Sequence, residues 1–295
     1  MKRLIVWCGV LIGPLFSGCS AWTAVRPPSF SLSATEIPVE HPLSGIDGTR
    51  IGELELTSDS GPAYRRSQVL RSATVEGTAA ARLKSGASTQ WGVRCEAMLD
   101  TAVLPPVRVV CLLAPDVGHL EPLSLVLTST LGGALRGIFF SMDGPYVLDG
   151  TRELELGIVR DDTVGFAVRR EGERQIRVFV DVATPQLRAY AEPALTPDEL
   201  KNLAPLLLVL EIIRDPRAAL RGSRQIGFGV GASGAGATMF VPFDPALDDD
   251  AKRLPLPPPA TPTSTAHEEQ AARLAEAGQA DLARALWATI TAPPW

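Results

Sequence analysis

Residues able to do chemistry are scattered along this chain. Gly229-Val230-Gly231-Ala232-Ser233-Gly234 has the GxGxxG spacing that lets backbone amides close on a pyrophosphate, with Asp248 roughly 20 residues on, where a ribose contact would fall. The following residues, Thr238-Met239-Phe240-Val241-Pro242, read as a strand, so no helix N-terminus is expected there to hold an anion. Gly227, Gly229 and Gly231 instead alternate along one strand, leaving Ile226, Phe228 and Val230 on the other face. Such a bare glycine face suits close approach of another backbone. His41, His119 and His267 lack the repeated spacing that would set two imidazoles on one face for zinc. Glu53 with Glu55, and Glu153 with Glu155, alternate with leucines, as on the solvated side of a strand. No GxSxG precedes a helix, so a nucleophile elbow has no support. From these residues we expect no catalytic, cofactor or metal centre, and a non-enzymatic role.

Cysteine is more informative. Lys2 and Arg3 precede an apolar stretch over residues 4–16, and small residues then lead into Cys19, the pattern of an export signal. About 13 apolar residues fall well short of the ~20 that a spanning helix needs. Leu15-Phe16-Ser17-Gly18-Cys19 resembles the lipobox of bacterial lipoproteins, with Phe16 where that family usually carries Leu. The resemblance implies cleavage after residue 18, lipidation of Cys19 (palmitate among its chains) and residence in the bacterial cell envelope. Ser20, standing where the family places Asp for inner-membrane retention, implies the outer membrane. A lipid group with two or more chains is what stable anchoring requires.

Loss of Lys2 and Arg3 with the signal takes the 28 basic residues to 26, against 33 acidic. With no basic cluster, nucleic acid is not expected as a partner. The mature chain keeps Cys95 and Cys111 besides Cys19, in a compartment that permits disulfides. Residues 90–99 and 107–114 read as strands around Leu104-Pro105-Pro106, and a hairpin symmetric about Val103 sets Cys95 opposite Cys111. Directly opposed antiparallel residues lie within disulfide reach. We expect that bond, and no redox or metal role, because a CxxC spacing and a nearby His are both missing.

These residues have to be positioned by elements that the remaining pattern predicts. Residues 19–44 are rich in Pro, Ser and Thr and are expected to form a flexible tether. Residues 45–244 are expected to form a mainly β, antiparallel sandwich or barrel-like domain, with strands near 51–56, 67–75, 90–99, 107–114, 123–128, 135–141, 153–159, 164–169, 175–182 and 187–190. One buried, kinked helix is predicted over 197–214: Thr196 caps it, Pro197 takes its first position, Glu199 completes a capping box and Pro205 interrupts it. Its run Leu206-Leu207-Leu208-Val209-Leu210 is apolar all round, which implies burial. Asp-Gly-Thr-Arg occurs at 47–50 and again at 149–152, as two related sheet halves or chance turn chemistry would give.

Residues 245–263 read as a Pro- and Asp-rich linker, and 264–295 as a C-terminal helical hairpin. In that hairpin Ala271, Leu274, Ala275, Gly278, Ala283 and Trp287 resemble the positions of a single tetratricopeptide repeat. A lone repeat cannot bury its own face. The hairpin is therefore expected to dock on its own domain, on a second copy or on a protein partner.

The chain is thus read as a membrane-anchored envelope lipoprotein with a structural or partner-binding role, meeting the membrane through its N-terminal lipid and a protein partner through its C-terminal helices. One alternative is a carrier holding a lipid or apolar ligand in a β cavity of roughly 300–1,000 Å³. The other is an anchored enzyme whose site is spread over loops.

Overall fold

The computed structural model describes residues 23–291 except 29, 31–32, 43–45, 70–71, 101–106, 131–132, 156, 185, 214–225, 228–237 and 240–264, with backbone only at 60–69, 72–75, 100, 226–227, 238–239 and 291. The signal and Cys19 lie outside the described residues, as do Gly229 to Gly234 and Asp248.

The architecture is mainly β. Twelve strands form one antiparallel sheet: β1 Thr35–Ile37, β2 Arg50–Ile51, β3 Leu54–Val69, β4 Ser72–Ser85, β5 Ser88–Asp100, β6 Val107–Pro115, β7 Leu123–Ser129, β8 Leu135–Ser141, β9 Gly144–Thr151, β10 Gly165–Arg170, β11 Ile176–Asp181 and β12 Arg188–Ala191. From β2 to β12 each strand pairs with its chain neighbour, and β1 pairs with β12. The sheet does not close into a barrel. Among the described residues its end strands share no ladder; Arg50 of β2 instead bridges Glu40, just past the end of β1, through two backbone hydrogen bonds of 2.9 Å.

Period-two alternation decides which side chains face inward. Leu83, Trp91, Val93, Cys95, Val109, Cys111, Leu125, Phe139, Leu148, Val168, Val178 and Ala189 all enter one buried cluster, so both halves of the curled sheet contribute to the same sandwich-like core. Helix α1, Pro197–Ile212, enters it too, burying every residue from Leu203 to Ile212. Curling this tightly requires missing side chains. A Cβ at Gly137 would run into the carbonyl oxygen of Val126, and one at Gly150 into that of Leu135.

The helix begins as the capping box dictates, with Thr196 accepting from the Glu199 amide and the Glu199 side chain accepting from the Thr196 amide. It is one helix with Pro205 inside it. Residues 67–75, expected as one strand, are divided between the end of β3 and the start of β4. The sheet also takes in β1, which precedes the expected domain start at residue 45. Beyond α1, β13 Ile226–Gly227 pairs antiparallel with β14 Thr238–Met239, a strand pair flanking the Gly-rich segment. The tail is a helical pair, α2 Thr265–Glu276 and α3 Ala280–Thr291. Gly278, at φ 74°, ends α2 in the left-handed conformation, and the Gln279 amide returns to the Leu274 carbonyl at 2.9 Å. Among the described residues no helix is long and apolar enough to cross a membrane.

Candidate functional site

The cysteines meet where the hairpin symmetry puts them. Cys95 pairs with Cys111 in the β5–β6 ladder, the Cα atoms are 4.0 Å apart, and the two sulfurs are bonded. Both are buried on the concave side, facing the core. This is a structural cross-link between neighbouring strands.

That concave side is lined by aliphatic and aromatic residues and occupied by α1, which is fastened near both ends. At the N-terminal end Asp143, in the β8–β9 turn, accepts hydrogen bonds from Tyr146 Oη (2.8 Å), Arg170 Nη2 (2.6 Å), Ser141 Oγ and the Asn202 side chain. Burial alone would raise the Asp143 carboxyl, but hydrogen bonds from Ser141 and Tyr146 and the charge of Arg170 outweigh it and hold the group below its ordinary value. Burial, then the hydrogen bond to Asp143, pushes the Tyr146 phenol well above its usual range. Tyr146 therefore stays protonated and donating, and the cluster acts as a latch between the helix and the sheet. At the other end the buried Glu211 accepts from the Leu187 amide at 3.2 Å, and its second oxygen lies 3.8 Å from His41 Nδ1. Beside the end of α1, Gly77, Thr78, Ala79, Cys95, Ala97, Ile212 and Ile213 line a small apolar cleft with room for about one water.

The convex side carries two docked segments. Tail residues Ala271, Leu274, Leu282, Ala283, Ala285, Leu286 and Ile290 pack on Val110, Val126, Ile138, Phe140 and Val147 of β6 to β9. Polar contacts set the register. His267 lies 3.2 Å from the Leu123 carbonyl, Ser124 Oγ donates to Gln270 Oε1 at 2.5 Å, and Arg273 reaches Glu171 at 2.7 Å. Burial lowers the His267 imidazole below its ordinary value, with the Leu123 carbonyl opposing the shift. Of the three expected docking modes for this hairpin, the one observed is on its own β domain. Trp287 is 39% exposed on α3.

The second docked segment lies within residues 19–44, which the sequence presents as a tether. Ala24 and Phe30 are buried with Phe179, Ile176 and Tyr190 in a cluster on the outer side of β10 to β12. The Ala24 amide donates to the buried Asp181 carboxylate at 3.2 Å. Arg26 stacks 3.8 Å from the centre of the Tyr190 ring. Desolvation raises the Asp181 carboxyl, against hydrogen bonds from the Ala183 and Ala24 amides. Ala24 also bridges Leu154, and Glu153 bridges Val159, so the segment expected as a sheet strand over 153–159 instead places residues 153–155 and 157–159 in a narrow ribbon on which the N-terminal segment lies.

No family model, curated protein or solved structure matches the chain.

The remaining residues that the sequence offers for chemistry stay apart. Glu55 pairs with Arg50 at 2.5 Å, Glu153 and Glu155 are exposed on the ribbon, and His119 is exposed in the β6–β7 loop. His41 and His267 are engaged by carbonyls of different strands' ends, Leu187 and Leu123. The two Asp-Gly-Thr-Arg segments differ in structure: Gly48 turns with φ 90° ahead of β2, whereas Gly150 lies inside β9, as chance recurrence would give. Sequence reasoning missed the Asp143–Tyr146–Arg170 cluster. Its one signal, a polar Ser-Met-Asp-Gly turn followed by an inward Tyr, appears in many hairpins.

Proposed function

We propose that this chain is an exported lipoprotein, cut before Cys19 and lipidated there, with a non-enzymatic structural or partner-binding role in the bacterial envelope, at the outer membrane. The observation that carries the reading is the buried Cys95–Cys111 disulfide, a bond of oxidising compartments, in a chain whose N-terminus has the form of an export signal. The tail hairpin supports the partner-binding part. It is held to the sheet by an apolar face and by polar contacts of His267, Gln270 and Arg273, so its outward face, with Trp287, is presented in a fixed register. Exposed tryptophan on a fixed element is the kind of anchor that interfaces use.

Detergent-phase partitioning and mass analysis of the N-terminal peptide test the anchor. The native protein should enter the detergent phase with a lipid on Cys19, and Cys19→Ala should stay aqueous; equal partitioning of the two ends the lipoprotein reading. For the partner, crosslinking of the lipidated protein should lose its product with Trp287→Ala. Deleting 264–295 is the poorer test, because it uncovers Val126, Ile138 and Phe140.

A second reading is favoured by one observation, the largely apolar concave face filled by a single helix. In a carrier, α1 would be a stand-in for the apolar ligand and would swing out to admit it. A disulfide tethering α1 to the sheet would then abolish uptake of a fluorescent fatty acid, whereas in the leading reading no uptake occurs in either form.

A further inference from the structure

We propose that the ribbon formed by residues 153–155 and 157–159 is a membrane-contact site, with Ile158 and Val159 seated in the interfacial zone of the bilayer that carries the Cys19 lipid. The inference rests on the lipoprotein reading above and adds an orientation to it.

Three large hydrophobic residues are exposed among the described residues: Ile158 at 37%, Val159 at 61% and Trp287. Two of the three are consecutive, in the ribbon next to the N-terminal segment. The geometry is explicit. The Val25 amide donates to the Glu153 carbonyl at 2.8 Å, the Glu155 amide to the Thr23 carbonyl at 3.0 Å, and the Leu154 amide to the Ile158 carbonyl at 2.9 Å. Segment 23–25, segment 153–155 and the returning residues 158–160 therefore lie side by side. With strands ~4.8 Å apart, the outermost is roughly 10 Å from the first.

Chain length does the rest. Cys19 is five residues from Ala24, and an extended chain spans at most ~3.3–3.6 Å per residue, so Ala24 lies within about 18 Å of the lipidated residue. Ala24 cannot drift outward to lengthen this leash. It is buried, its amide is held by Asp181, and its methyl packs at Gly165, where a Cβ would come within 2.9 Å of it. The lipid consequently draws one end of the sheet to the membrane, the end where β9 runs into the ribbon and β11 ends at Asp181. The β4–β5 turn lies at the opposite end of the strands.

The occupant is a bilayer surface, and the contact is apolar in character. Residues 152–162 carry Arg152 and Arg160 against Glu153, Glu155, Asp161 and Asp162, so they offer no net positive charge to anionic headgroups. Contact should accordingly persist on zwitterionic lipid and at high salt. Two partly exposed aliphatic side chains cannot anchor a protein alone, but beside a lipid anchor they fix its orientation.

The test uses full-length lipidated protein in phosphatidylcholine vesicles containing a headgroup-region nitroxide phospholipid. Val159→Cys or, as a control at the far β4–β5 turn, Ala87→Cys is labelled with an environment-sensitive dye. With Cys19 acylated and Cys95–Cys111 closed, each variant has one reactive thiol. Emission at 159 is expected to be blue-shifted and several-fold more quenched by the nitroxide than at 87, with no change at high salt. Equal, weak quenching at both positions on protein whose N-terminal peptide carries lipid overturns the contact and leaves the lipoprotein reading intact. A blue shift at 159 without nitroxide quenching also overturns it, by assigning the patch to a protein neighbour. An N-terminal peptide without lipid overturns both readings together.

Discussion

Two helical elements cover the two faces of the same sheet, and they do so in opposite ways. Past its polar first turns α1 is apolar on every side except at Glu211, buries Leu203 to Ile212 without interruption and is wrapped by strands from both sheet halves. The α2–α3 hairpin is amphipathic, buries one face and leaves the other in solvent. Moreover α1 is part of the core that both sheet halves share, whereas the hairpin lies on a sheet whose inner face is already filled. Helices of equal regularity therefore differ in what they hold up: the first the whole domain, the second chiefly itself.

This contrast can be broken by mutation. Leu208→Ala, in the fully buried part of α1, should cost about 2–5 kcal/mol and lower the global unfolding midpoint in denaturant, with the whole sheet following. A loss confined to α1, with the sheet unmoved, would make the inner helix as separable as the outer one. Next in size, removing the disulfide as Cys95→Ala/Cys111→Ala should cost about 3 kcal/mol, the value for a loop of this length. It too should appear in the global transition, because both cysteines face the core that α1 fills. Leu286→Ala should cost about 2 kcal/mol, at the lower end for a buried leucine, because a hairpin packed on a surface can settle into the space. Its effect should appear as faster hydrogen exchange across 265–291 with little change in the sheet.

The smallest effect sharpens the contrast through pH. His267 has a lowered value in the folded state, so below the ordinary imidazole value, near 6.5, the unfolded or undocked tail binds a proton that the docked tail refuses. Its contribution is complete above that pH and is lost as pH falls from about 6.5 toward the lowered folded value. Limited proteolysis of the tail should therefore accelerate on going from pH 7.5 to 5.5, and His267→Gln should flatten that dependence while α1 remains protected at both pH values.

Legibility in the sequence followed the range of the interactions. The start of α1 was readable because a capping box is complete within four residues, and the Cys95–Cys111 pairing because one symmetric turn sets it. β3 was foreshortened because polar residues from Thr57 to Asp59 break the apolar alternation that marks a half-buried strand. β9 was overlooked because Gly144, Pro145 and Gly150 are breakers elsewhere, whereas here Gly150 is required by the neighbouring Leu135 carbonyl. The N-terminal segment reads as a tether since its partners, Asp181, Phe179 and Tyr190, are about 150 residues away in sequence. The amphipathic pattern of the tail predicts a buried face without naming Val126 or Phe140 as what it meets. For the ribbon that carries Ile158 and Val159, the sequence offered only alternating Glu and Leu, which promised a strand.

The pairing of β1 with β12 sets an order of events in time. A chain made or threaded through a membrane from its N-terminus releases Thr35 to Ile37 first, yet their ladder partners, Ala189 to Ala191, come near the end of the sheet. Every strand between can zip onto its predecessor as it emerges, hairpin by hairpin. The earliest strand alone has to wait for one of the latest, and the Glu40–Arg50 bridge that joins the sheet's two ends is then a seam stitched last.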